Sequence, residues 1–171
     1  MVRRVEPTED CGIPDTNRID SLRHLIAVCE DGVRAFEDAV VEVEDRKLKG
    51  LFRELAISRK FTAVELRKTL GSLGGETSES GTLTGSALRL YAQIKTAIAD
   101  KDSSAILEEL ERSERRALEA FWEAAQRERS GGLHDEIQVH ANEIGVSLES
   151  LAALRRDLAR LAQSDGAEGE N

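Results

Sequence analysis

Four residues of this chain combine the side-chain types of a carboxylate metal centre: Glu65, Glu111, Glu114 and His140. Glu111 and Glu114 are three apart, which sets both on one side of a helix. A Glu-x-x-Glu pair joined by an imidazole from a neighbouring helix suits iron, manganese or zinc. Arg59 decides between this chemistry and a plainer one, because it falls on the same apolar stripe as Leu55, Ala56, Ala63 and Leu66. An arginine stays cationic at physiological pH. Inside a bundle it repels a dication and pairs with Glu111 or Glu114, since a buried charge without a partner is strongly destabilising.

The regular di-iron pattern of helical bundles is stricter than this set. It takes one Glu from each of two helices and a Glu-x-x-His from each of the other two. Here Glu54 is followed at +3 by Ile57, Glu65 by Lys68 and Glu136 by Val139; His140 stands at +4 from Glu136. The pattern fails on two helices, which favours an ion pair around Arg59 with His140 as a core-edge histidine. His134 is expected in solvent beside the Gly131-Gly132 turn, and Cys29, between Ile26 and Val33, reads as small core filler.

These residues need long helices to position them. Leu22, Leu25, Ile26, Cys29, Val33, Phe36, Val40 and Val43 recur at three- and four-residue spacing, which predicts a helix from about 18 to 44 with Asn17 as its N-cap. Gly32 in its middle is expected to admit a close neighbour. Asp45 is the expected N-cap of a second helix that carries Arg59 and ends at Leu73, where Gly74-Gly75 stops it. So short a connection makes the first two helices antiparallel neighbours.

Residues 74–85 read as a flexible loop and Ser86–Ala99 as a short helix. Together they can span the length of a bundle. A third helix is predicted from Asp102-Ser103 to before Gly131, with Leu107, Leu110, Glu114, Ala117, Phe121 and Ala124 inward. A fourth is predicted from Leu133 to Gln163 with Ile137, His140, Ile144, Leu148 and Leu151 inward, and Leu154 or Arg155 at the next turn. The expected fold is all-α: a ferritin-like four-helix bundle of two antiparallel hairpins joined by a long crossover containing a short helix. The bundle occupies 17–163, between a disordered arm at 1–16 and a disordered acidic tail at 164–171.

Composition agrees with a soluble helical domain: 40% hydrophobic, 33% charged, and 2 prolines, both in the arm. The net charge of −9 argues against nucleic acid and against anionic lipid, both of which attract basic faces. Cys11 and Cys29 read as reduced thiols, which fits the cytoplasm. No apolar run approaches the ~20 residues of a membrane span, and the N-terminus lacks the apolar stretch of a secretory signal. No phosphate-cradling glycine loop or catalytic serine motif occurs.

Several segments together resemble a family of uncharacterised bacterial ferritin-like four-helix-bundle proteins, a domain of unknown function. They are Cys29-Glu-Asp-Gly-Val-Arg-Ala-Phe36, then Leu51-Phe52, Arg59, Phe61 and Glu65-Leu66, then Leu73-Gly-Gly-Glu76 and Ser80-Gly-Thr-Leu-Thr-Gly85. Ile106-Leu107, Glu111, Glu114, Ala117-Leu118 and Phe121 complete the likeness, which spans about 18 to 160. The resemblance implies the fold and no established activity. The family pattern often carries a Glu where this chain has Val33, and an inward His near Leu148. Both departures remove ligands that the resemblance would imply.

Two functions follow as expectations. The first is a non-catalytic interaction or stress-associated module with a structural Arg–Glu centre and no cofactor. It is expected to form a homo-oligomer, a dimer through an exposed helix face, or to bind a protein partner. The second is an iron oxidase or storage protein using Glu65, Glu111, Glu114 and His140 as an irregular di-metal set. Arg59 separates them: its charge inside the bundle favours the first.

Overall fold

A computed structural model of the chain describes residues 15–76 and 103–168. These form four helices: α1 Asp15–Glu42, α2 Arg46–Ser72, α3 Ser103–Glu128 and α4 Gly132–Glu168. No strand occurs among the described residues. Residues 1–14 of the expected N-terminal arm, with Cys11, residues 77–85 of the expected loop and the expected short helix Ser86–Ala99 lie outside them, while Asp15 and Thr16 of that arm open α1.

Local signals set both ends of α2. Asp45 caps α2 as its residue type predicts, accepting from the backbone amides of Lys47 at 2.7 Å and Leu48 at 2.9 Å. At the other end Gly74 takes φ +73°. The Gly75 amide reaches back to the Leu70 carbonyl and the Gly74 amide to the Gly71 carbonyl, each at 3.0 Å. This is the paired closure that a left-handed residue allows at a helix C-terminus. Two ends differ from the sequence expectation. Asn17 lies inside α1, which begins at Asp15. The last helix continues to Glu168 instead of stopping at Gln163, because the helix-tolerant run Ala162-Gln163-Ser164-Asp165 precedes a single Gly166, which weakens a helix without ending it.

The helices pair as two hairpins, α1 with α2 and α3 with α4, and α1 also packs against α3. Their directions follow from which ends meet. Arg18 near the start of α1 bonds Glu128 at the end of α3. Thr69 near the end of α2 bonds Glu136 near the start of α4. Both lateral pairs are therefore antiparallel, and α2 runs parallel to α3 across the bundle.

The apolar core divides into two clusters along the bundle. One gathers Phe36, Ala39, Phe52, Leu55, Leu107, Leu110 and Leu151. The other gathers Leu22, Leu25, Leu66, Leu70, Phe121, Ile137 and Ile144. The stretch left between them on each helix holds the buried Gly32, Arg59, Thr62, Glu111, Glu114 and Ser147. The core is thus apolar at both ends and polar across its middle.

Candidate functional site

Arg59 sits at the centre of this polar layer, 2% exposed, and Glu114 faces it at 1%. The Arg59 Nε donates to Glu114 Oε1 at 3.3 Å and Nη2 donates to Oε2. Both carboxylate oxygens are thereby held by one planar guanidinium, the two-pronged geometry that arginine forms best. Arg59 reaches there from α2 because its stem lies along α1 at Gly32. A methyl group added at Gly32 would meet Arg59 Cδ and Cγ at 3.5 Å, an ordinary contact. The glycine therefore leaves room for a side chain and is not required for the approach of a helix, which corrects the sequence expectation.

Burial pushes the Glu114 carboxyl above the ordinary value, and the charge and hydrogen bonds of Arg59 pull it back down. With guanidinium donors on both oxygens, the ionised form is the one this geometry accepts. The third nitrogen of Arg59, Nη1, is buried without a hydrogen-bond partner among the described residues. The same burial pushes the Cys29 thiol up to about 12, so Cys29 is a neutral core group at physiological pH.

The other expected site residues separate into two further groups. Glu111 is bound by Arg155 of α4, whose Nε lies 2.6 Å from Oε1 and Nη2 3.2 Å from Oε2. Arg155 is 40% exposed, so this pair closes the layer toward solvent. His140 stands apart, with Nε2 3.5 Å from Glu65 and Nδ1 3.2 Å from Glu143. Its ring meets Phe121 edge-on at 6.4 Å. The four candidates are therefore not gathered in one place: Glu65 and His140 adjoin, while Glu111 and Glu114 are each taken by their own arginine.

A divalent ion favours carboxylates whose charge is not already met by a fixed cation. Here both oxygens of each inner carboxylate accept from guanidinium, and a guanidinium does not give up its proton. Among the described residues no group of three or more His, Cys, Asp or Glu side chains is arranged to hold a metal ion. The polar layer is built around two arginine–carboxylate pairs, Arg59 with Glu114 and Arg155 with Glu111. Val33, where the family resemblance implies a Glu, is buried in α1 beside Gly32.

Sequence reasoning named Arg59 and its pairing with Glu111 or Glu114. It missed three polar contacts. Arg155 shared a seam position with Leu154, so its role as the Glu111 partner was left open. The Arg18–Glu128 pair at 3.0 Å and the Thr69–Glu136 pair at 2.8 Å link residues far apart in sequence, and no local spacing announces them. His134, expected in solvent, is half-buried and donates from Nδ1 to the Ala125 carbonyl at 2.8 Å, which also accepts from the Arg129 amide at 3.2 Å just past the end of α3.

Comparison with protein families matches residues 17–127 to the family described as Domain of unknown function (DUF2383), and the chain belongs to it. The match covers nearly all of α1, all of α2 and nearly all of α3, and so includes Arg59, Glu111 and Glu114. Neither the curated proteins nor the solved structures yield a match.

Proposed function

We propose that this chain is a ferritin-like bundle whose middle layer is a structural ion pair, and that it acts as a non-catalytic interaction or stress-associated module. One observation carries the reading: a guanidinium occupies the centre of the bundle and takes both oxygens of Glu114. The side-by-side hairpins with α2 parallel to α3 support the ferritin-like assignment, since a long crossover is what such bundles share. The acidic balance of the chain, −9 overall, supports a protein partner over nucleic acid.

The experiment is metal analysis of protein purified aerobically, before and after addition of Fe(II). The expected result is no stoichiometric iron and no ferroxidation burst. About two irons per chain, lost in a Glu114→Ala variant that still folds, would overturn the reading and establish an irregular di-metal protein built from Glu65, Glu111, Glu114 and His140.

A further inference from the structure

The two hairpins of the bundle meet unevenly. On one side α1 packs against α3, whereas α2 and α4 approach each other less closely. Polar side chains bridge that second seam: His140 stands between Glu65 and Glu143, and Thr69 bonds Glu136. The α2–α4 side is therefore a groove between two antiparallel helices. The same contacts fix relative heights. Stepping one turn at a time sets Phe61 level with Ile144, Ser58 with Ser147 and Leu51 with Leu154. Leu51 and Leu154 are half-buried, so the floor beyond the two serines is apolar.

The rims carry apolar side chains as well. Phe61 on α2 is 60% exposed, and Val139 and Val146 on α4, one heptad apart, are 55% and 64% exposed. Ile57 and Val64 extend this surface as an apolar stripe over the outer side of α2. Large apolar side chains gathered on adjoining helices, with charged residues beside them, mark an interaction surface.

The groove takes its charge from how the two helices sort their ionisable residues. Arg46, Arg53, Lys60 and Arg67 follow one heptad line of α2 toward α1, where Lys60 meets Glu37 and Arg67 meets Glu30. Both acidic residues of α2 lie on the other side: Glu65 contacts His140 of α4, and Glu54 stands three turns before it on the same side. Helix α4 faces them with Glu136, Glu143, Ser150 and Asp157, again one heptad apart. The basic residues on this side are Lys47 and Lys68, which bracket Glu54 and Phe61 on their heptad line, and Arg160, which is paired with Asp157. Carboxylates outnumber them. Glu54 is exposed and has no ion-pair partner among the described residues.

The geometry points to an amphipathic helix of another protein as the occupant, apolar on one face and flanked by Lys and Arg, lying lengthwise between α2 and α4. Its apolar stripe packs between Phe61 and the two valines, as a helix does in a groove between helices. Its basic flanks meet Glu54 and Glu65 on one rim and Glu143 on the other, which sets orientation and speeds encounter. From Glu54 to Thr69 the groove runs ~22 Å, about four turns of helix. The same carboxylates repel nucleic acid and anionic lipid. The inference rests on the protein-partner half of the function proposed above and names the chemistry of that partner.

The test uses the full chain and two synthetic probes. One is a peptide of about 15 residues with leucine and lysine at helical spacing; the other has glutamate in place of every lysine. Binding is followed by fluorescence anisotropy, and the self-association of the chain by sedimentation equilibrium. The lysine peptide should bind, more weakly as salt rises, and the glutamate peptide should not. Glu54→Lys and Phe61→Ser should each raise Kd about tenfold or more with helical content unchanged. Glu119→Lys, on the exposed side of α3, should leave Kd unchanged. No binding, equal binding of both peptides, or an equal loss in Glu119→Lys would overturn the proposal. So would a chain that takes up no peptide and forms an oligomer that Phe61→Ser dissociates, since a second copy would then own the face. Metal analysis does not involve this groove. Iron-free protein that ignores the peptide would end this proposal and leave the buried ion pair standing, whereas stoichiometric iron with peptide binding intact would do the reverse.

Discussion

Removing one partner of the central pair should cost more than removing both, and the two single losses should differ. In Glu114→Gln, Arg59 keeps its charge in a site 2% exposed, with Nη1 already lacking a partner. Such a loss costs about 3–5 kcal/mol. For a chain of this length each kcal/mol moves Tm by about 2–4 °C, so Tm should fall by about 6–20 °C. Arg59→Met is milder, because Glu114 can take up a proton whereas arginine cannot lose one. Its pH dependence has a definite sign. Burial already raises the Glu114 carboxyl, and without Arg59 nothing opposes that. A group that binds its proton more tightly when folded stabilises the fold below its unfolded value and loses that contribution as pH rises through the folded one. Arg59→Met should therefore regain stability between pH 7 and pH 5, by up to about 1.4 kcal/mol per pH unit, and Glu114→Gln should not. The double variant Arg59→Met with Glu114→Leu should lie between no change and about 4 kcal/mol more stable than the parent. Urea unfolding followed by circular dichroism at both pH values, at one fixed chain concentration, measures all four proteins. A Glu114→Gln variant within about 1 kcal/mol of the parent, or equal costs for both single variants at both pH values, would refute the buried-pair account.

Three further outcomes follow. Gly32→Ala should stabilise the protein by about 0.5–1 kcal/mol, since Ala is the better helix former and its methyl makes only ordinary contacts with the Arg59 stem; a loss of that size in urea unfolding would contradict the packing described at α1. Asp45→Ala should cost about 1 kcal/mol by removing two hydrogen bonds to the first turn of α2, with Asp45→Asn recovering most of it. In a Cys11→Ser background, Cys29 should react with thiol reagents at pH 8 at least roughly a thousandfold more slowly when folded than in urea, because burial raises the thiol from 9.0 to about 12. That contribution to stability is whole below about pH 9 and is lost as pH climbs toward 12, so Cys29→Ala should flatten the alkaline decline; rapid labelling of folded protein would contradict it.

The bundle was legible because its inward positions repeat at helical spacing over four long stretches. Every expected inward residue of α3, from Leu107 to Ala124, is buried. Arg59 was legible for the same reason: a charge on an apolar stripe has to find a partner. Which carboxylate it chose was not legible, because Glu111 and Glu114 sit one turn apart on the same helix and sequence spacing treats them alike. The structure separates them through Arg155, which reaches Glu111 from α4 and leaves Glu114 to Arg59. The outer stripe Ile57, Phe61 and Val64 has the same periodicity as the core stripe, rotated to the far side of α2.

The central claim is that an arginine, and no metal ion, fills the middle of the bundle. The most direct measurement is an NMR spectrum of protein labelled with 15N at arginine, recorded with and without stoichiometric Mn(II). The Arg59 Nε–H should be shielded from solvent exchange, should vanish from its position in Glu114→Gln, and should stay sharp when the paramagnetic ion is added. Broadening of that signal by one equivalent of Mn(II), relieved by a chelator, would contradict the account.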